Sequence, residues 1–177
     1  DGIRDYKVTG VQTCALPIYF SATANLLVLR SLAKTAGLAG LRIGFAIGPA
    51  AVVDRIGRVT GPYDINSFAV TAAFAALDDQ EHVNAYVAQV LRARDWLVAQ
   101  LRRAGVRHHA GGGNYLLIWP SQDPERVEQR LKREAGILVR SMAGKPLIDG
   151  SLRVSLGTTE QMQRFWAAYA VIESVST

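Results

Sequence analysis

Ser31-Leu-Ala-Lys34-Thr-Ala-Gly37-Leu-Ala-Gly40-Leu-Arg42-Ile-Gly44 is the stretch on which the reading of this chain turns. It follows Asn25-Leu-Leu-Val-Leu-Arg30, an apolar run of strand length, so Lys34 stands just beyond a strand expected to be covered on both faces. The lysine lies three residues after a serine and eight before an arginine, among three glycines that let a ligand come close to the backbone. Such a place suits an anion. Ser31 can donate its hydroxyl to a phosphate, Arg42 can grip the same phosphate bidentately, and free backbone N–H groups complete the cradle. Lys34 then sits beside the carrier of that anion, where a neighbouring guanidinium disfavours the ammonium form and frees an amine for attack on a carbonyl.

A surface lysine in a glycine-rich turn is the other reading of the same residues. Ser-x-x-Lys also occurs in serine β-lactamases and penicillin-binding proteins. Those need Ser-Asp-Asn and Lys-Thr-Gly elements as well, and neither occurs here.

Beyond the loop, Leu41–Ile47 has strand composition, Ala50–Val59 reads as a short helix, and Gly61-Pro62-Tyr63-Asp64 breaks the chain. Asn66 or Ser67 caps an Ala-rich helix running to Leu77. Val83, Val87, Val90, Leu97 and Leu101 recur at helical spacing, which predicts one long amphipathic helix over Gln80–Ala104, ended by Gly105. Strands are expected at Val106–His108, Asn114–Trp119, Ile137–Arg140 and Ser151–Leu156, with helices at Pro124–Glu134 and Thr159–Glu173. The order β, β, α, β, β, α after the long helix is that of a small sheet covered by helices. Residues 19–78 therefore read as a fragment of a parallel-sheet domain, and 79–177 as a smaller α+β domain.

The chain has 177 residues, 49% hydrophobic and 20% charged, which is the composition of a globular protein able to bury a core. No apolar run reaches the roughly 18–20 residues of a membrane helix, and no secretory leader is recognisable, so the reading is cytoplasmic with no membrane partner. One cysteine, Cys14, and the three histidines His82, His108 and His109 form no metal-ligand set. The charge of +5 is spread out: Arg92, Arg94, Arg102 and Arg103 lie on a polar helix face without interleaved aromatics, which argues against nucleic acid.

Residues 1–18 differ from the rest. Val8–Ile18, VTGVQTCALPI, reads codon for codon as a translation of a common short-read sequencing adapter. The expectation is a non-native leader over 1–18, with the biological chain starting near Tyr19.

The lysine phrase as a whole closely resembles the lysine segment of fold type I pyridoxal-phosphate aminotransferases, class I/II, in the histidinol-phosphate aminotransferase branch. The likeness continues in register. Pro62-Tyr63-Asp64-Ile65-Asn66 is similar to the family's Pro-Tyr-Asn-x-Asn turn, and Gly113-Asn114-Tyr115-Leu116-Leu117 to its Asn-Phe-x-Leu strand. Gly136–Arg140 and Leu152–Thr158 are similar to its C-terminal pair of strands. The resemblance covers about residues 19–177. It implies an α/β fold: the end of the large parallel-sheet domain of that fold type, followed by its small α+β domain.

Carried over residue by residue, the resemblance implies that Lys34 forms the internal aldimine with pyridoxal 5'-phosphate and moves the proton, while Ser31 and Arg42 hold the cofactor's phosphate. Arg153 matches the arginine for the substrate's anion, with Arg140 at the same end of the pocket. Asn114 matches a position close to substrate, and Tyr63 lies in a loop expected near the active site. For Arg153, an ion pair with Asp149 is the alternative; for Asn114, a buried amide satisfying a turn. The parent activity implied is amino transfer from histidinol phosphate or a related amino acid to 2-oxoglutarate, in a homodimer. Threonine-phosphate decarboxylation, aromatic amino transfer, and a non-catalytic remnant or binding module are the alternatives.

One family element is missing. Its Asp-x-x-Tyr keeps the pyridine nitrogen protonated and bonds the ring hydroxyl. Aligning the family's Phe-Ser on Phe20-Ser21 puts Cys14 and Pro17 in those roles, which neither side chain can perform. The glycine-rich helix start that cradles the phosphate is missing too. The chain is therefore expected to be a C-terminal half with little or no transaminase activity of its own.

Overall fold

The computed structural model describes residues 25–61 and 64–174, so the leader expected over 1–18, the positions Cys14, Pro17, Phe20 and Ser21, and Tyr63 lie outside the described residues. Packing divides the chain into two compact units that change over between Val87 and Ala88. The first contains β1 (Val28–Ser31), a 3-10 turn (Ala39–Leu41), β2 (Gly44–Ile47), α1 (Ala50–Gly57), α2 (Ser67–Asp78) and the start of α3 (Gln80–Arg103). The second contains the rest of α3, then β3 (His108–Ala110), β4 (Tyr115–Ile118), α4 (Pro124–Ala135), β5 (Arg140–Ser141), β6 (Leu152–Ser155) and α5 (Thr159–Glu173).

In the first unit β1 pairs with β2 antiparallel, from Val28 opposite Ile47 to Ser31 opposite Gly44. The apolar run over 25–30 pointed to a parallel sheet covered on both faces. Here the pairing is antiparallel, and Leu29 is 74% exposed. A continuous apolar run carries information about burial but none about the direction of the neighbouring strand. Gly44 is required by the ribbon itself, because a Cβ there would lie 2.8 Å from the Arg30 carbonyl oxygen. The strand expected over Leu41–Ile47 starts only at Gly44. Ala39–Leu41 close a 3-10 turn instead, and Arg42 leaves that turn in the left-handed region with φ 55°. The cap expected at the head of α2 is present: Asn66 Oδ1 accepts from the Ala69 N–H at 2.8 Å.

The second unit is a four-stranded sheet of order β3-β4-β6-β5, antiparallel throughout. Alternation sends Leu116, Ile118, Leu152 and Val154 to one face, where all are buried against Leu97 and Leu101 of α3, Val127 and Leu131 of α4, and Phe165, Tyr169 and Ile172 of α5. Burial of this apolar surface is what holds the layer together. Asp123 caps α4, with Pro124 at its first turn and Gly136 closing it at φ 64°. Thr158 and Gln161 form a reciprocal capping box at the head of α5.

Two strand positions are corrected. The strand expected over Ile137–Arg140 is reduced to Arg140–Ser141, because the N–H of Ile137 is spent on the end of α4, donating to the Leu131 carbonyl at 3.0 Å. The strand expected over Val106–His108 is displaced to His108–Ala110, since the Val106 N–H donates to the Leu101 carbonyl and closes α3. No helix among the described residues is long and apolar enough to cross a membrane.

Candidate functional site

The candidate side chains read from the sequence fall into two groups, one in each unit. In the first, the hairpin register sets Ser31 opposite Gly44, and Arg42 precedes Gly44 by two residues. The same end of the ribbon thus carries the hydroxyl, the guanidinium and the lysine loop between them. Ser31, Lys34 and Arg42 are all exposed. Ser31 Oγ accepts from the Ala33 N–H at 3.2 Å, which shapes the first turn and leaves the hydroxyl proton free to donate outward. The Lys34 carbonyl accepts from the Gly37 N–H at 3.2 Å, and Gly37 takes φ 69°, so the loop folds back directly after the lysine. Arg42 spends one N–H on the Ala39 carbonyl at 3.2 Å, and the rest of its fork is open. Among the described residues the Lys34 amine has no hydrogen-bond or ion-pair partner.

This donor set fits a phosphate-bearing aldehyde: one hydroxyl, one guanidinium and one uncommitted primary amine on a glycine-rich turn.

In the second unit the face of the sheet opposite the core carries Arg153, Arg140, Leu117 and Tyr115. Arg140 stands directly across from Arg153, and Leu117 across from it on the other side. Two like charges directly opposite on one face destabilise a sheet unless something neutralises them. Neither arginine makes an ion pair among the described residues, where the ion pairs are Arg94–Asp95 and Arg130–Glu134; Glu125 and Glu128 line the same cavity as Arg140 without pairing with it. The Arg153–Asp149 pair weighed from the sequence is not formed. Asp149 Oδ1 instead accepts from the Gly144 and Gly150 N–H groups at 2.6 and 2.9 Å and closes the loop before β6. Asn114 is exposed rather than buried, and its backbone carbonyl extends the sheet by accepting from the Leu156 N–H at 2.9 Å.

The neighbour of Arg153 that the sequence reading did not name is Tyr115. The guanidinium carbon of Arg153 lies 4.5 Å from its ring centroid. An aromatic two positions from the residue paired with an arginine is a diagonal cross-strand neighbour, a spacing the register makes visible and the bare sequence does not.

Residues 6–168 match the family model described as aminotransferase class I and II. The chain belongs to that family. The match takes in the stretch Val8–Ile18. The cofactor that goes with this membership is pyridoxal phosphate, and the fold is that of fold type I. Histidinol-phosphate aminotransferase 2 of Pseudomonas aeruginosa is 40% identical over 154 residues, covering 85% of this chain and 40% of the relative. The solved histidinol-phosphate aminotransferase of Clostridium acetobutylicum superposes with a TM-score of 0.82 at 21% identity, over 94% of this chain and 51% of that one. The L-threonine-O-3-phosphate decarboxylase of Porphyromonas gingivalis gives 0.75 at 22%, over 88% and 49%. This chain thus spans about 40% of the length of the curated relatives it matches.

Proposed function

We propose that this aminotransferase chain carries the lysine segment and the substrate-anion arginine of an enzyme that moves an amino group from histidinol phosphate, or a related amino acid, to 2-oxoglutarate. The observation that carries the reading is the end of the β1–β2 ribbon, where Lys34, whose amine has no partner among the described residues, lies in the loop that joins Ser31 to Arg42 in a chain of this family. The name shared by the most similar curated relatives supports histidinol phosphate as the donor.

In this reading Ser31 donates its hydroxyl, and Arg42 the free part of its fork, to the cofactor's phosphate. When bound, pyridoxal phosphate supplies an electrophilic carbon and a ring that accepts electron density. The Lys34 amine holds the cofactor covalently and takes up and returns the substrate's proton. Arg153, with Arg140 across from it, pairs with the carboxylate or phosphate of the substrate. Asn114 and Tyr63 are contributors to substrate binding on the same reading. Leu117, on β4 directly across from Arg153 and itself buried, keeps water from one side of the arginine pair. A cytoplasmic homodimer is the proposed setting for the parent enzyme, and amino-acid biosynthesis its role. With Cys14 and Pro17 where the family's aspartate and tyrosine would fall, the 177-residue chain alone turns over little.

The chain has four lysines, at 7, 34, 132 and 145, which makes the test direct. Borohydride reduction of the chain mixed with pyridoxal phosphate, then peptide mapping, places the added mass on Lys34. Lys34→Ala abolishes the label. Equal labelling of Lys132 and Lys145, or none on Lys34, refutes the assignment.

A further inference from the structure

Arg153 makes no ion pair among the described residues, yet it is not loose: its guanidinium lies over the ring of Tyr115, 4.5 Å from the centroid. The ring is in turn seated on Gly113. A Cβ built at that position would meet Tyr115 Cε1 at 2.8 Å and Cδ1 at 3.1 Å, closer than side chains approach one another. Arg153 lies on one side of the Tyr115 ring and Gly113 close against it, so the ring has no room to move further towards Gly113. A guanidinium laid flat on an aromatic ring spends its π face there and keeps its in-plane N–H donors, the ones that match an oxyanion's lone pairs, available.

We infer that Tyr115 is a positioning residue: seated on Gly113, its ring fixes the plane of the Arg153 guanidinium so that the free donor edge meets a substrate oxyanion, carboxylate or phosphate. The inference deepens the assignment of Arg153 to the substrate's anion and rests on it. An unstacked arginine would lose the rotamer freedom of a long stem on binding, whereas the stack has already removed much of it. The hydroxyl has no part in this, and Tyr115 stands where the family resemblance has phenylalanine. The ring alone is required.

The test uses the 15N-labelled 177-residue chain, with inorganic phosphate in one arm and acetate in the other, so that the two oxyanion sources are separated. The side-chain Nε–Hε signal of Arg153, assigned by its loss in Arg153→Gln, reports the stack through its ring-current shift and the anion through titration. Tyr115→Phe is expected to keep both the ring-current shift and the affinity. Tyr115→Leu is expected to lose the shift and to bind phosphate about two- to fivefold more weakly, the range for an exposed cation–π contact. Gly113→Ala, which pushes the ring aside without removing it, is expected to move the signal in the same direction as Tyr115→Leu. Tyr115 is 36% exposed, so the leucine variant keeps its fold, checked by an unchanged tryptophan-monitored unfolding midpoint. Should neither phosphate nor acetate move the Arg153 signal in the unaltered chain, the anion assignment itself fails and the inference with it. Unchanged affinity in Tyr115→Leu, with wild-type binding intact, overturns the inference and leaves the anion assignment standing.

Discussion

Replacing Tyr169 by phenylalanine should stabilise the second unit, the reverse of what loss of a buried hydroxyl ordinarily does. Tyr169 is fully buried in α5, its ring 5.6 Å from that of Phe165 and 6.0 Å from that of Trp166. Among the described residues its hydroxyl oxygen has no hydrogen-bond partner, and neither has Oε1 of Glu173 one turn on. The other carboxylate oxygen of Glu173 accepts from the Ser121 N–H. An unsatisfied buried polar group costs roughly 1–3 kcal/mol. Phenylalanine keeps the ring contacts and removes that cost, so a gain of about 1 kcal/mol is expected. For a unit of this size that corresponds to a rise of about 4–8 °C in Tm.

The same hydroxyl gives a second readout. Burial, and after it the charge of Glu173, raises the phenol's pKa well above its ordinary value of 10.0. The folded unit therefore keeps the proton at pH values where the unfolded chain releases it. Stability from this group is fully present below about pH 10 and declines above it, by up to about 1.4 kcal/mol per pH unit. The phenylalanine variant lacks that decline, so its advantage over the parent grows with pH above 10. All three tryptophans, Trp96, Trp119 and Trp166, lie in the second unit, and urea unfolding followed by their fluorescence at pH 8 and pH 10.5 reports that unit alone. Destabilisation of the variant at pH 8, or an advantage that does not grow with pH, refutes the unpartnered hydroxyl.

Thr158→Ala removes the oxygen that accepts from the Gln161 N–H at 3.2 Å and breaks the capping box of α5, for an expected loss of about 1 kcal/mol in the same urea assay. Leu147 holds φ 70° with its side chain wholly exposed, so Leu147→Gly gives up no packing and relieves a strained backbone; a gain of about 0.5–1 kcal/mol by urea unfolding is expected.

Which parts of this were legible beforehand follows from what each signal encodes. Helix positions were legible: Asn66 accepts a backbone N–H at the head of α2 as read, and α5 spans Thr159–Glu173 as read, while the caps at Asp123 and Thr158 are features the structure adds. Strands were legible over Asn114–Trp119 and Ser151–Leu156, which hold β4 and β6, but not over Val106–His108 and Ile137–Arg140, because local composition cannot say that a helix end will claim a donor first. Ile137 and Val106 both look like strand residues, and both N–H groups go to carbonyls of the helix that precedes them. The direction of β1 was hidden for a related reason, since pairing is decided by a neighbour and not by the strand itself. The site residues named from the lysine phrase were legible as types at a spacing. Tyr115 was not, because its bearing on Arg153 exists only once the register between β4 and β6 is set.

The sheet of the second unit is consistent on one face and contradictory on the other, and the contradiction is informative. Leu116, Ile118, Leu152 and Val154 bury their side chains as a fold requires, whereas Arg140 and Arg153 oppose each other across strands and neither makes an ion pair among the described residues, although Glu125 and Glu128 line the same cavity as Arg140. A pair of like charges directly opposite is destabilising, by an amount on the order of 0.2–1 kcal/mol. The repulsion cannot serve the fold, since a threonine at either position would sit better on a β-strand. It changes sign when an oxyanion lies between the two guanidinium groups, because each then gains an attraction and the mutual repulsion is screened. On the proposed reading, in which Arg140 and Arg153 bind a substrate's oxyanion, the cost carried by the free sheet is recovered on binding, and ligand affinity and fold stability at these two positions are opposed quantities rather than parallel ones.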